Sequence, residues 1–372
     1  MNDLLQLRSP RSPSTRPRNG EVCCSSQKGE VRRRLGLRVD FARLGAVQLL
    51  TAVLGLWSCA SPPRIPPNVI LRGVHNNGYS LAFDGRAETL ASGGSEGRIR
   101  VWRLPDGMQL SGWQAHTDSV QGLVFLGNDS ELLSAAYDGS IARWTRDGTL
   151  LKRLHTPAPV TSMGADEAAN LVVTGHSDGH VRLWQLADLS LLHDLHPHRG
   201  AVRAVAYDAA SHQLASSGTD GRVFYWQGRE EPHPLPSPPT DAQDLAFAPD
   251  GAVLMGSGWF NLFRWRLDNG SLQVLPTAHH GVVKSISFSR DGRTLASVGR
   301  QTDSAVYLLD ARTGAVLQRF QAHELCGSFV RLSPDGRYLA STSDDANVHI
   351  WDLQHLLSGI LSLKPSPGSL RE

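Results

Sequence analysis

From residue 68 to residue 353 apolar and polar positions alternate in short runs that are separated by turn residues. Alternation with a period of two predicts half-buried strands. Residues 279–321 show one full unit. VVKSISF (282–288) alternates as a first strand, and SRDG turns. RTLASVG (293–299) is a second strand, AVYLLDA (305–311) a third, and AVLQRFQ (315–321) a fourth after the turn RTG. Asp-Gly or Asn-Gly pairs punctuate the chain at Gly107, Gly139, Gly148, Gly179, Gly221, Gly251, Gly270, Gly292 and Gly336. Tight hairpins need positive φ, which glycine adopts without a steric cost. The pattern predicts an all-β chain made of four-stranded units.

The units repeat. Seven third strands align: IRVWRL (99–104), IARWTR (141–146), VRLWQL (181–186), VFYWQG (223–228), LFRWRL (262–267), VYLLDA (306–311) and VHIWDL (348–353). Their anchors are Trp102, Trp144, Trp184, Trp226, Trp265, Leu309 and Trp351, spaced by 42, 40, 42, 39, 44 and 42 residues. A period near 42 with four strands per repeat predicts a propeller. A single such sheet cannot bury both of its faces, whereas blades stacked around an axis bury them against one another. The last unit stops after its third strand, at Leu353, and a spare strand-like piece, NVILRG (68–73), precedes the first. That piece is expected to supply the outer strand of the seventh blade, so that the N-terminus latches the ring and leaves no raw edge.

Over residues 68–353 these repeats resemble the WD-repeat family. The resemblance implies a seven-bladed β-propeller. It also implies a buried tetrad in each regular blade: a His before the first strand, a Ser or Thr in the second, an Asp in the next turn, and the Trp. Carried over by position, blade 2 has His116, Ser134, Asp138 and Trp144; blade 4 has His198, Ser216, Asp220 and Trp226; blade 7 has His323, Ser341, Asp345 and Trp351. Such groups are each costly to bury alone, and a chain of mutual hydrogen bonds satisfies them. A His-Ser-Asp set also has the composition of a hydrolase triad, but recurrence at the blade period makes it structural. Other blades depart from the pattern. Blade 1 has Glu96 at the Asp position, beside His75, Ser92 and Trp102. Blade 3 keeps Thr174, Asp178 and Trp184 without an aligned His. Blade 6 has His279, Ser297 and Asp303 with Leu309 for Trp, and blade 5 keeps only Trp265.

Ahead of the repeats, Leu44 to Trp57 is an apolar run of 14 residues, short of the ~20 that a membrane helix needs. Arg32, Arg33, Arg34, Arg38 and Arg43 lie upstream and small residues follow, which is the layout of a signal peptide over 31–58. LWSC (56–59) resembles the lipobox of bacterial lipoproteins, which implies lipidation of Cys59. ASPPRIPPN (60–68) then reads as a Pro-rich tether over 59–67. Residues 1–30 are Ser/Arg/Pro-rich without strand or helix period. They are expected to be disordered, or to lie upstream of a true start at Val31 or Val39. Residues 354–372 are expected to form a short helix and a tail.

Charge and chemistry narrow the function. Residues 1–43 carry ten Lys/Arg and four Asp/Glu, a net of +6 against +2 for the whole chain, which leaves −4 for the rest. The repeats thus lack the basic footprint of a nucleic-acid binder. The four cysteines, Cys23, Cys24, Cys59 and Cys326, have no zinc-type spacing, and Cys326 reads as a small buried residue. There is no Gly-rich phosphate loop, no G-x-S-x-G and no H-E-x-x-H. No enzyme activity, cofactor or metal is therefore expected.

The reading is a non-catalytic protein-interaction scaffold of the bacterial cell envelope, lipid-anchored at the outer membrane and facing the periplasm, with a cytoplasmic location as the alternative. Trp259 and Phe260 stand where other blades place a polar turn, and they are the candidate interface. The outer strand of blade 4, GREEPHPLPSPP (228–239), holds five prolines and is expected to be a loop open to docking. The alternative function is a periplasmic propeller enzyme or a small-ligand binder. It would require polar residues converging on the central channel, where Gln121, Arg203, Asp244, Lys284 and Arg331 are scattered without a matched set of acids or bases.

Overall fold

The computed structural model describes residues 64–354, apart from 209, 229 and 230. Cys59, the leader over 31–58, the segment 1–30 and all but the first residue of the tail lie outside the described residues.

Every named element is a strand, and the strands form seven antiparallel four-stranded sheets. Six blades take four consecutive strands each. Blade 2, for example, is Val120–Leu126, Glu131–Ala136, Ser140–Thr145 and Leu150–His155. Blade 7 takes Gly327–Leu332, Tyr338–Ser343 and Val348–Asp352 from the C-terminal end and Val69–Leu71 from the N-terminal end. The latch pairs Val69 with Ile350, Ile70 with His349 and Leu71 with Val348. A second closure lies nearer the axis, where the Thr342 hydroxyl donates to the Gly78 carbonyl of blade 1 (3.1 Å).

The core lies between blades. One apolar cluster joins Ala82, Ala91, Ile99 and Val101 of blade 1 to Val120, Leu123, Leu132 and Trp144 of blade 2. Each sheet therefore has two buried faces, and its inner strands lose the simple in–out alternation: Leu132 to Ala136 are all buried. Outer strands are the most exposed, with Leu150, Leu151, Leu191 and Leu192 open to solvent. At all nine Asp-Gly and Asn-Gly pairs the glycine has positive φ, between 65° and 97°, a region that side chains with a Cβ rarely enter.

The N-terminal approach is itself part of the packing. The Ile65 N–H donates to the Arg319 carbonyl (3.0 Å), and the Gln321 N–H donates to the Ile65 carbonyl (2.8 Å). Ile65 packs against Phe320, Trp351 and Leu353 in the cleft between blades 6 and 7. The stretch read as a tether over 59–67 thus meets the ring at its C-terminal end.

Candidate interaction site

The polar clusters are built where the second and third strands pair. The tetrad Ser or Thr sits across the ladder from the residue two before the Trp: Ser134 faces Ala142, Ser216 faces Phe224, and Ser341 faces His349. In blade 2 all four predicted residues meet. The Trp144 indole N–H donates to Ser134 Oγ (2.8 Å), and Ser134 Oγ is 2.7 Å from His116 Nε2. His116 Nδ1 lies 3.3 Å from Asp138, with Ser140 Oγ between them in the network. Blade 1 makes the same chain with Glu96 as the acid: Trp102 donates to Ser92 (2.9 Å), and His75 bridges Ser92 and Glu96 (2.9 and 2.6 Å).

In blades 4 and 7 His, Ser and Asp meet, but the Trp does not join them. His198 bridges Ser216 and Asp220 at 2.8 and 3.0 Å, and His323 bridges Ser341 and Asp345 at 2.7 and 3.0 Å. The Trp351 N–H instead donates to the Ile65 carbonyl (3.1 Å), and the buried Trp226 N–H has no hydrogen-bond partner. The physical reason lies two residues earlier. Side chains at i and i+2 share a strand face, so the residue before the Trp on that face competes with it for the His. Where that residue is Ala142 or the long, bendable Arg100 or Arg182, the indole reaches the hydroxyl. Where it is aromatic, its own ring covers the His. Phe224 lies edge-on to His198 (5.2 Å), Tyr307 lies 4.7 Å from His279, and His349 stacks on His323 (4.0 Å). The signal was present in the sequence at the position two before each Trp, and the period-of-42 alignment passes over it.

Blade 3 repairs its missing His from within its own strand. His176 Nδ1 donates to the Ala158 carbonyl (3.0 Å), and Nε2 is 2.7 Å from Thr174 Oγ1, which also accepts from Trp184 (2.7 Å). Burial pushes His176 down to about 4. Asp178 is released to pair with Arg182 (2.8 Å). Blade 5 replaces the polar cluster with rings: Gly256 faces Phe263 across the ladder, and an added Cβ there would lie 2.8 Å from the Trp265 ring. The Trp265 N–H donates to the Pro236 carbonyl (2.9 Å).

The acids of the clusters share one electrostatic pattern. Burial pushes the carboxyls of Asp138, Asp220, Asp303 and Asp345 up. Hydrogen bonds from the facing imidazole and from neighbouring amide and hydroxyl groups outweigh it, so each titrates below the usual range. The same opposition brings Glu96 down to about 2. His323, Asp345 and His349 place three potential metal-ligand atoms within 4.8 Å. Both His323 nitrogens are already bonded, however, to Ser341 and Asp345.

Trp259 and Phe260 lie in the turn between the second and third strands of blade 5, 38 % and 48 % exposed, with ring centroids 5.8 Å apart. Phe260 has a φ of 60°, unusual for a bulky side chain. Hydrogen bonds hold it there: the Phe260 N–H donates to the Gly281 carbonyl (3.0 Å), and the Thr277 N–H donates to the Phe260 carbonyl (2.9 Å). The pair is presented on a fixed backbone. On the axis, Gln121, Asp244 and Arg331 line a cavity of about 60 Å³, well below the roughly 300 Å³ at which small-molecule pockets begin. Asp244 is occupied by Ser285 and the Ile286 N–H (both 3.0 Å), and the Arg331 guanidinium lies over the Phe329 ring. Among the described residues no helix is long and apolar enough to cross a membrane.

A family model for the WD domain, G-beta repeat, matches residues 71–103, 107–145, 148–185, 189–227, 270–310 and 314–352. The chain belongs to the WD-repeat family. The unmatched interval between 227 and 270 contains most of blade 5 and the Pro-rich segment before it, where the polar cluster has been replaced. Among WD-repeat relatives, protein tipD of Dictyostelium discoideum is 25 % identical over 300 residues, covering 79 % of this chain and 43 % of its own length. Autophagy-related protein 16 of Arabidopsis thaliana is 27 % identical over 250 residues, covering 64 % of this chain and 48 % of its own. The U5 small nuclear ribonucleoprotein 40 kDa protein of Dictyostelium discoideum is 25 % identical over 304 residues, covering 77 % and 85 %. The chain spans about half the length of the first two.

Proposed function

We propose that this WD-repeat chain is a non-catalytic protein-interaction scaffold whose blade 5 turn is a primary contact. One observation carries the reading: two large aromatic rings, Trp259 and Phe260, stand half-exposed on a turn whose left-handed backbone is locked by hydrogen bonds. Aromatic anchors on a rigid support lose little entropy on binding and dominate interface energies. Residues held in sparsely populated backbone regions concentrate at functional positions. The ring as a whole is a platform, and the axial cavity lined by Gln121, Asp244 and Arg331 is small. The reading agrees with the WD-repeat match, and one relative carries in its name membership of a multi-component particle, the U5 small nuclear ribonucleoprotein.

The finer part of the proposal is the address. The leader pattern over 31–58 and LWSC (56–59) support a lipid anchor at Cys59 in the bacterial cell envelope. Two measurements test the reading. Crosslinking of the full chain in its host should capture a protein partner, and Trp259→Ala with Phe260→Ala should reduce its recovery at least tenfold without lowering the melting temperature. Unchanged recovery would remove blade 5 from the interface. The mass of the mature N-terminal peptide should show an acylated Cys59. An unmodified peptide containing residues 1–30 would end the envelope reading while leaving the scaffold intact.

A further inference from the structure

The charge of the ring is uneven, and its positive side lies where the N-terminal chain arrives. Blade 6, over 282–320, carries six Lys/Arg and three Asp. Blade 3, over 160–195, carries five Asp/Glu against Arg182. In a ring of seven blades these two stand on opposite sides.

Three of the blade 6 arginines share one end of its sheet. Arg290 and Arg293 lie in the connection between its first and second strands, and Arg312 lies in the turn between its third and fourth. The two connections meet, since the Ala311 N–H donates to the Arg293 carbonyl (3.0 Å). All three arginines are exposed. The acids at this end are held within their own turns. Asp291 accepts from the Ser289 hydroxyl (2.6 Å) and the Arg293 N–H (3.1 Å), and Asp310 accepts from the Thr313 hydroxyl (2.7 Å). In the flanking blades Asp250 and Asp335 likewise bond within their turns, and Arg337 pairs with Asp352 (3.0 Å). On the outer edge of blade 6, Ile65 bridges to Phe320, and its N–H donates to the Arg319 carbonyl (3.0 Å). That brings the exposed Arg64 next to the outer strand of the same blade.

We infer that blade 6 is the membrane-facing side of the ring, and that Arg290, Arg293 and Arg312, with Arg64, dock on the headgroups of anionic lipids. The inference rests on the lipid-anchor reading of Cys59 and adds an orientation to it. Two observations carry it, the length of the tether and the sign of the charge where it joins. Arg64 is only five residues beyond Cys59, and a fully extended chain of that length spans about 18 Å. A ring held so closely turns toward the lipid the side where the chain joins it. That side is the cationic one, and the acidic blade 3 is turned away. Surface charges act over about 8 Å at physiological salt, and each Arg brought near an anionic leaflet adds attraction. The guanidinium fork also matches the geometry of phosphate oxygens.

The test is sedimentation of the full chain with vesicles of phosphatidylcholine containing phosphatidylglycerol. Residues 1–43, with a net charge of +6, add the same attraction in every variant, so the readout is the difference between variants. Arg290→Gln with Arg312→Gln should weaken binding about ten- to thirtyfold. Arg199→Gln with Arg222→Gln is the control. It removes the same charge from the opposite end of the blades, in the connections before the first strand and before the third, and should change binding less than about twofold. All four arginines are exposed, so the melting temperature should not move. A lipid with a photoreactive headgroup should label peptides spanning 290–293 and 312–319 and spare blade 3. Equal losses from the two pairs, no loss from Arg290→Gln with Arg312→Gln, or labelling of blade 3 in place of blade 6 would overturn the inference. If Cys59 is acylated and these arms fail, the anchor stands without this orientation. If Cys59 is unmodified and they succeed, blade 6 remains a lipid-binding surface and the anchor reading falls.

Discussion

Removing the same hydroxyl from different blades should have different costs, because the Trp stands differently in each. Ser134 Oγ is the partner of two buried groups, the Trp144 N–H and His116 Nε2. Ser134→Ala strands both. A buried polar group left without a partner costs about 1–3 kcal/mol, so the loss should be about 3–4 kcal/mol. Ser341 serves only His323, since the Trp351 N–H is held by Ile65. Ser216 serves only His198, since the Trp226 N–H is already unpartnered. Ser341→Ala and Ser216→Ala should each cost about 1–2 kcal/mol. All three serines are fully buried and the cavity created is the same size, so packing cancels from the comparison.

The assay is urea unfolding of the three variants, compared at a common m-value. Double-mutant cycles with Trp→Phe isolate the bond itself. Ser134 with Trp144 should couple by about 1 kcal/mol, whereas Ser216 with Trp226 and Ser341 with Trp351 should couple by about zero. Equal losses in all three blades, or a coupling at Ser216–Trp226 as large as at Ser134–Trp144, would refute the rule that an aromatic residue two before the Trp displaces the indole.

Three further outcomes follow from the same coordinates. His176 has a folded value of about 4, so between its ordinary value near 6.5 and 4 the unfolded chain takes up the proton first. Stability should be full above that interval and decline as pH falls through it, by about 3 kcal/mol at pH 4 from this group. His349, brought to about 4 by burial and by His323, acts in the same sense, and His176→Asn should flatten the decline in urea midpoints. The depressed carboxyls of Asp303 and Asp345 add stability that is present above the unfolded value and lost only at still lower pH. Gly218→Ala puts a Cβ 2.4 Å from His198 Nδ1 and 2.8 Å from Asp220, and should cost about 1–3 kcal/mol. Gly164→Ala meets nothing within 4 Å and should be neutral or slightly stabilising in the same melt. Leu71→Ala, in the latch and packed against Val348 and Ile350, should cost about 2–4 kcal/mol and make the N-terminal segment the first site of protease cleavage.

Much of the ring was legible because it depends on spacing alone. Anchors every 39–44 residues, six Trp and Leu309, glycines at the hairpins and a spare strand before the first unit are one-dimensional signals, and the latch pairs Leu71 with Val348 on that basis. The clusters were legible in part. His, Ser and Asp at fixed offsets are brought together by the ladder register, which the sequence carries. The direction of an indole is different. It is decided by competition on one strand face between the Trp and the residue two before it, and by whatever carbonyl lies outside, 286 residues away for Ile65 and Trp351. Position-by-position alignment treats Phe224 and Ala142 as one column and cannot weigh that contest. Nor could it supply His176, which reaches Thr174 from two residues along the same strand.

That contest also decides how the ring seats its own chain. A blade whose Trp closes onto its own Ser spends its donor internally and presents only apolar surface to the cleft. In blades 5 and 7, with an aromatic two before the Trp, the donor meets a carbonyl from another segment. The ring uses this twice to seat its own chain, at Ile65 and at Pro236.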